Sequence, residues 1–356
     1  MHTKITELLS LAVANKASDI HLITGSVPKL RVFGELVEAT QFANIEDKMM
    51  EEMIFSLLTE EQKKIVLEQR ELDFSVESPE SRFRCNVYYQ KGLIACALRL
   101  ISAEIPGFGE LNLPESFKTF TTLKQGFVLV TGPTGHGKST TIASILNEIN
   151  KTKGGHIVTI EDPVEYLIKP IKAMVSQREI GSDTKNFDLA LRSCLRQDPN
   201  VVFVGEMRDL ESISSALTIA ETGHLVFSVL HTNSASQTID RIVDVFPDSS
   251  KDQIKVQLAS VVTAIISQRL VPAIKGGRVP AFEILMITPA VRNVIREGKT
   301  FMIDNIIQTS SELGMVSLES SLAKLVKDGL VSEEVALNYV TNPLEFQNKL
   351  RRNQTL

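Results

Sequence analysis

Cysteine is scarce in this chain of 356 residues: Cys85, Cys96 and Cys194 stand far apart, with no CxxC pair and no His-Cys spacing. That excludes a disulfide scaffold and a structural zinc element, and leaves the three thiols as small apolar core residues suited to a reducing compartment. No apolar run approaches the ~20 residues needed to cross a bilayer. The opening Met1-His-Thr-Lys leads into Ile5, Leu8, Leu9 and Ala12, the spacing of an amphipathic helix and not of a signal peptide. The expectation is a cytoplasmic protein, held by something else if it works at a membrane. Excess positive charge is also missing: 38 Lys+Arg against 43 Asp+Glu give a net charge of −5, which argues against a general nucleic-acid binder. Internal repeats and low-complexity tracts are absent as well.

What is present is a hydrophobic content of 43%, enough for about two packed domains at this length. A linker is expected at Ile105-Pro-Gly-Phe-Gly-Glu-Leu-Asn-Leu-Pro114, where two prolines and two glycines fall together. Domain bounds follow at residues 1–104, 105–118 (the linker) and 119–356. Beyond Leu123 the short β-branched runs 127–130, 157–160, 201–204 and 225–230 alternate with helical stretches, the pattern of parallel strands covered on both faces. A doubly wound α/β domain is the result. Farther on, Ile254, Leu258, Val261, Ile265 and Ile266 read as one helical stripe opened by Ser249 or Ser250. Thr288-Pro289 and Gly298 bracket a second helix, Ser317 and Gly329 a third.

Gly132-Pro133-Thr134-Gly135-His136-Gly137-Lys138-Ser139-Thr140 fits the phosphate-binding P-loop at every required position. The strand-like run Phe127–Val130 precedes it, and Ile142, Ile145, Leu146 and Ile149 follow at helical spacing. Glycines let backbone N–H groups curl round phosphate oxygens, and the helix that follows offers its free N–H groups to the same anion. Lys138 is placed to neutralise the β- and γ-phosphates of ATP, and the Ser139 hydroxyl to ligate Mg²⁺. The loop marks a nucleotide-binding protein.

Ligands gather at the carboxyl ends of strands in such sheets, so the polar residues that follow the apolar runs matter most. They are Glu161-Asp162-Pro163-Val-Glu165, Gly205-Glu206-Met-Arg208-Asp209, and the two histidines that flank the third run, His224 before it and His231 after it. Glu206 occupies the Walker B region, with Gly205 where an aspartate is usual. It is read either as the group that orients or deprotonates the attacking water or as a helix-capping acid. Glu161 is the better metal-site candidate, since Asp162 precedes a proline and fits a turn cap. His231 is open to a γ-phosphate or Glu206 contact and to a purely structural bond. Arg82 and Arg84 alternate with Phe83, Cys85 and Val87 and share one strand face, with Arg99 on the next run. A solvated face and an arginine finger for a neighbouring subunit both fit.

Together these motifs resemble the secretion ATPase superfamily of type II secretion and type IV pilus motors, and more closely its retraction ATPases of the PilT type. The resemblance also uses Ala17-Ser-Asp-Ile-His-Leu22, the histidine box Thr222–Asn233, and above all Ala290-Val-Arg-Asn-Val-Ile-Arg-Glu297, similar to the signature Ala-Ile-Arg-Asn-Leu-Ile-Arg-Glu. It implies an N-terminal PAS-like α+β domain, a RecA-like ATPase domain with a helical C-terminal part, and a homo-hexamer with ATP between subunits. Glu206 is then the catalytic glutamate, Glu161 a Mg²⁺-site acid, His224 and His231 groups near the nucleotide, and Arg82, Arg84 and Arg99 the segment facing a neighbour's ATP. Implied partners are an inner-membrane pilus platform protein and the other type IV pilus machinery. The chain would lie peripheral to the membrane and bind no nucleic acid directly. Val291, Val294 and His136 depart from the pattern. The N-terminal extension and tetracysteine element of many assembly ATPases have no counterpart here, which favours retraction over the alternatives of an extension ATPase and an accessory nucleotide-binding ring subunit.

Overall fold

The structure is a computed structural model and describes residues 1–32, 34–78, 81–101 and 104–351. It divides into two compact units, residues 1–104 with 165–167, and residues 105–164 with 168–356.

The first unit carries helices α1 (Thr3–Ala14), α2 (Asp47–Phe55) and α3 (Glu60–Gln69). Its strands are β1 (Asp19–Ile23), β2 (Lys29–Val32), β3 (Glu35–Glu38), β4 (Glu71–Glu77), β5 (Arg82–Gln90) and β6 (Leu93–Ile101). They form one antiparallel sheet in the order β3-β2-β1-β6-β5-β4. Because side chains alternate along a strand, one face collects Ile20, Leu22, Phe74, Phe83, Cys85, Val87, Cys96 and Leu98 against Ile5, Leu8 and Leu9 of α1 and Met50 and Met53 of α2. The other face is left to Asp19, Asp73, Arg82, Arg84 and Arg99. Burial pushes the Cys85 and Cys96 thiols up, as befits inert core residues.

The second unit opens with residues expected as linker, yet Ile105, Phe108 and Leu113 pack against its core and helix α4 (Phe117–Thr122) begins there. Its strands are β7 (Gly126–Thr131), β8 (His156–Glu161), β9 (Met174–Glu179), β10 (Val201–Val204), β11 (Leu225–Leu230), β12 (Val262–Pro272) and β13 (Arg278–Met286). The sheet order is β13-β12-β7-β11-β10-β8-β9, parallel from β12 to β9, with β13 alone antiparallel. Helices α5 (Lys138–Thr152), α6 (Phe187–Cys194), α7 (Leu210–Glu221), α8 (Ala235–Asp244), α9 (Lys251–Val261) and α10 (Pro289–Glu297) cover it. Phe120 of α4 and Ile142, Ile145 and Ile149 of α5 meet Val128, Val130, Phe227 and Ile266 on one face. Leu191, Leu217, Ile239, Leu258 and Ile295, one from each of the other five helices, meet Phe127, Leu129, Val202 and Val226 on the opposite face. Helices α11 (Ile303–Thr309), α12 (Leu318–Lys327), α13 (Glu333–Leu337) and α14 (Pro343–Arg351) follow. Leu318 and Leu322 of α12, Ala336 of α13 and Phe346 of α14 pack with Val271 and Val279 of the β12–β13 hairpin.

The four sequence-predicted strands are β7, β8, β10 and β11, every residue of them buried. One helix needs correction. The stripe drawn through Ile254, Leu258, Val261, Ile265 and Ile266 is cut at Val261, because Ile265 and Ile266 belong to β12 and pair with Leu129 and Val130 of β7. No described helix is long and apolar enough to cross a membrane.

Candidate nucleotide site

The P-loop joins the carboxyl end of β7 to α5. Gly132, Gly135 and Gly137 have φ of 139°, 77° and 79°, in the range where an L side chain is strained, so glycine is required by the turn itself. At Gly132 space also forbids a side chain: a Cβ would lie 2.2 Å from the Gln268 carbonyl oxygen. Helix α5 begins after Gly137 with no side-chain cap, so its first N–H groups are left to the loop. Lys138 Nζ sits 2.8 Å from the carbonyl oxygens of both Gly132 and Pro133 and 3.3 Å from His231 Nδ1. Left-handed glycines, an uncapped helix start and a buried ammonium on one loop fit an anionic phosphate chain.

Parallel pairing brings the ends of β8, β10 and β11 to the same sheet edge. His231, just past β11, has Nδ1 3.4 Å from Thr134 Oγ1. Burial and the Lys138 ammonium hold its pKa below the ordinary histidine value, against the pull of Glu206, so the ring is neutral near pH 7. Glu206 follows β10 and pairs with Arg208 Nε at 2.8 Å. The capping role that competed for Glu206 is taken by Asp209, whose Oδ1 accepts from Ser212 N at 2.8 Å at the start of α7. Glu161 ends β8, 6% exposed, and accepts from Gln177 Nε2 at 3.4 Å. The Asp162–Pro163 peptide after it is cis.

The glycine at position 205 has a reason. A Cβ there would come 3.2 Å from Glu161 Cα and the Ile160 oxygen and 3.4 Å from Glu161 Cγ. The backbone of β8 and the stem of Glu161 crowd the position where an aspartate would branch, and the strand-end acid comes from β8 instead.

Two expectations change. His224 precedes β11, its carbonyl accepts from Gly126 N at the start of β7, and its Nδ1 lies 3.0 Å from both Ile219 O and Thr222 Oγ1. It therefore closes the end of α7 at the opposite sheet edge, a strand length of roughly 17–20 Å from the P-loop within its chain. His136 faces β12, not the loop's open mouth. Its Nδ1 accepts from Leu270 N at 2.9 Å and its carbonyl from Gln268 Nε2 at 2.8 Å. Burial and the cations Arg278, Lys138 and Arg269 keep the ring below the usual histidine range.

The arginines lie on the open face of the first unit's sheet, where Arg84 and Arg99 stand directly opposite on β5 and β6. Both are exposed, Arg84 3.7 Å from Asp73 and Arg99 2.9 Å from Asp19. Arg82 is half-buried and bonded to Glu77 at 3.0 Å and Ser75 Oγ at 2.6 Å. Sequence reasoning missed Gln268, which lies just past the stripe read as helix and far from the loop in sequence. It also missed Arg208 as the partner of Glu206, though both fall in one short motif.

The P-loop, its parallel sheet and the acid at the end of β10 define a P-loop nucleoside triphosphatase. Residues 1–276 match the type II/IV secretion system protein family. The type IV pilus retraction ATPase PilT of Pseudomonas aeruginosa is 46% identical over 96% of this chain and 99% of the relative. A twitching motility protein of Neisseria gonorrhoeae is 42% identical over 95% of this chain and 91% of the relative. The solved structure of a pilus retraction motor PilT with bound ADP superposes with a TM-score of 0.90 at 46% identity, covering 98% of this chain and 100% of that one. The chain belongs to the type II/IV secretion system protein family, in its branch of pilus retraction ATPases.

Proposed function

We propose that this chain is the ATP-driven motor of type IV pilus retraction and works as a homo-hexamer on an inner-membrane platform protein at the cytoplasmic face of the membrane. The observation that carries the reading is full-length likeness to retraction ATPases together with an intact set of Lys138, Ser139 and Glu206 at one sheet edge.

In this reading the backbone N–H groups of residues 134–140 grip the phosphates, and Lys138 swings from its loop carbonyls to neutralise the β- and γ-phosphates. Ser139 and Glu161 would hold Mg²⁺, which would neutralise charge that builds on the phosphates. Glu206 orients the attacking water and takes its proton, and His231, neutral and beside Lys138, reports the γ-phosphate to that acid. Arg84 and Arg99 reach the nucleotide of a neighbouring subunit.

Deletion of the coding sequence decides between retraction and extension. Loss of twitching in cells that carry excess pili supports a retraction motor; loss of pili points to extension. A Glu206→Gln copy should bind ATP and fail to restore twitching, because removal of a general base costs roughly 10²–10⁴ in rate. Full rescue by that copy would overturn the role of Glu206.

A further inference from the structure

We infer that Gln268 is a positioning residue for the nucleotide, a clasp from β12 that holds the two halves of the phosphate cradle in register. The inference rests on the P-loop being the phosphate site and concerns a residue outside every motif of that loop.

Gln268 is 2% exposed and carries a primary amide, whose oxygen accepts and whose NH₂ donates. Its Oε1 accepts from Thr141 Oγ1 at 2.7 Å, in the first turn of α5. Its Nε2 donates to the carbonyl of His136 at 2.8 Å, in the loop proper. A backbone carbonyl only accepts, so the amide nitrogen must face His136 and the oxygen Thr141. One side chain thus ties the loop to the helix whose N-terminus completes the phosphate seat.

Three further contacts reach the same loop from this hairpin. The Gln268 carbonyl blocks any side chain at Gly132, Leu270 N donates to His136 Nδ1 at 2.9 Å, and Arg278 Nη1 of β13 donates to the Gly135 carbonyl at 3.2 Å. Such holds matter because the loop is built on left-handed glycines, which lose more conformational freedom on ordering than any other residue. A loop ordered in advance by β12 binds phosphate without that loss; a loop freed from β12 meets it at each binding event. Both halves of the cradle grip phosphate in the ground state and in the transition state alike. Release of the clasp therefore weakens both to a similar degree and appears in KM more than in kcat.

Gln268→Met keeps the volume and removes both bonds. Titration of the full chain with ADP and Mg²⁺, and steady-state ATP hydrolysis, should show Kd and KM raised about tenfold with kcat within about threefold. A folded Gln268→Met protein with unchanged ADP affinity overturns the proposal, even if it melts earlier, and so does a loss confined to kcat. Should that variant fail to fold, Gln268→Glu keeps the acceptor for Thr141 and loses the donor to His136. It should bind ADP several-fold more weakly, and an affinity equal to that of the unaltered chain overturns the clasp. Failure of the unaltered chain to bind ADP would overturn the phosphate site and the clasp together.

Discussion

At the scale of single residues, the second unit places its carboxylates by what surrounds them. Glu283 on β13 is the sharpest case: burial raises its pKa to about 7, with Asp304 and Glu319 adding to the shift, while the N–H of Ala235 and the Arg269 cation oppose it. Ala235 N donates to Glu283 Oε1 at 2.7 Å, at the start of α8. The folded state keeps a proton here that an unfolded chain releases near its ordinary value of 4.5. Stability contributed by this residue therefore falls as pH rises from about 4.5 to about 7 and stays low above that. Glu283→Gln keeps the acceptor without the charge. It should raise the melting temperature at pH 8, by an equivalent on the order of 3 kcal/mol, and nearly match the unaltered chain at pH 4.5. Equal melting at pH 8 would show that the carboxylate is better compensated than its surroundings indicate.

At the scale of elements, legibility followed how local the determinant is. Helix α10 could be bounded from sequence because its signals are its own: Thr288 accepts from Val291 N, Pro289 holds the first position, and Gly298 closes it at φ 68°. The end of α9 could not, because apolar spacing from Leu258 and Val261 continues to Ile265 while the chain has already turned into a strand. What decides is the pairing of β12 with β7, a contact with residues more than a hundred positions away. The junction also explains Arg292. With no glycine between α9 and β12, the helix ends without a left-handed cap, and Arg292 Nη1 donates to the carbonyls of Ala259 and Ser260 at 2.6 and 2.7 Å. Arg296, four positions on along α10, does different work and bonds Asn293 on its own helix. Arg292→Ala should cost on the order of 1–3 kcal/mol, since two carbonyls and a helix dipole lose their cation, whereas Arg296→Ala should stay within about 0.5 kcal/mol. Thermal melts of the two single variants check this, and an Arg292→Ala protein that melts like the parent sinks the capping role.

At the scale of the whole molecule, the motifs located the P-loop and the polar strand ends beside it, and what escaped is whatever needs the sheet order or a second chain. The P-loop, Glu161, Glu206 and His231 were readable because each follows an apolar run, and parallel pairing gathers run ends at one edge. The role of His224 came only from the family resemblance; it precedes its run, and parallel pairing of β11 with β7 leaves it at the end away from the P-loop. The arginines pose the same question between chains. Arg82 is half-buried and engaged by Glu77 and Ser75, whereas Arg84 and Arg99 are exposed even though Arg99 bonds Asp19, so their exposure makes these two the better suited to reach another subunit. Under the proposed trans role, each site of a ring would combine one subunit's Lys138 with the next subunit's arginines. Arg84→Ala,Arg99→Ala chains and Lys138→Ala chains should each be inactive as pure rings. Co-assembled in equal amounts, random order rebuilds about a quarter of the sites, those where an intact lysine meets an intact arginine pair. ATP turnover by the mixture should accordingly rise well above either parent and fall again as either component dominates. Turnover that stays at the parental level across all ratios, in rings shown to contain both chains, would place the arginines' work within a single subunit or outside catalysis.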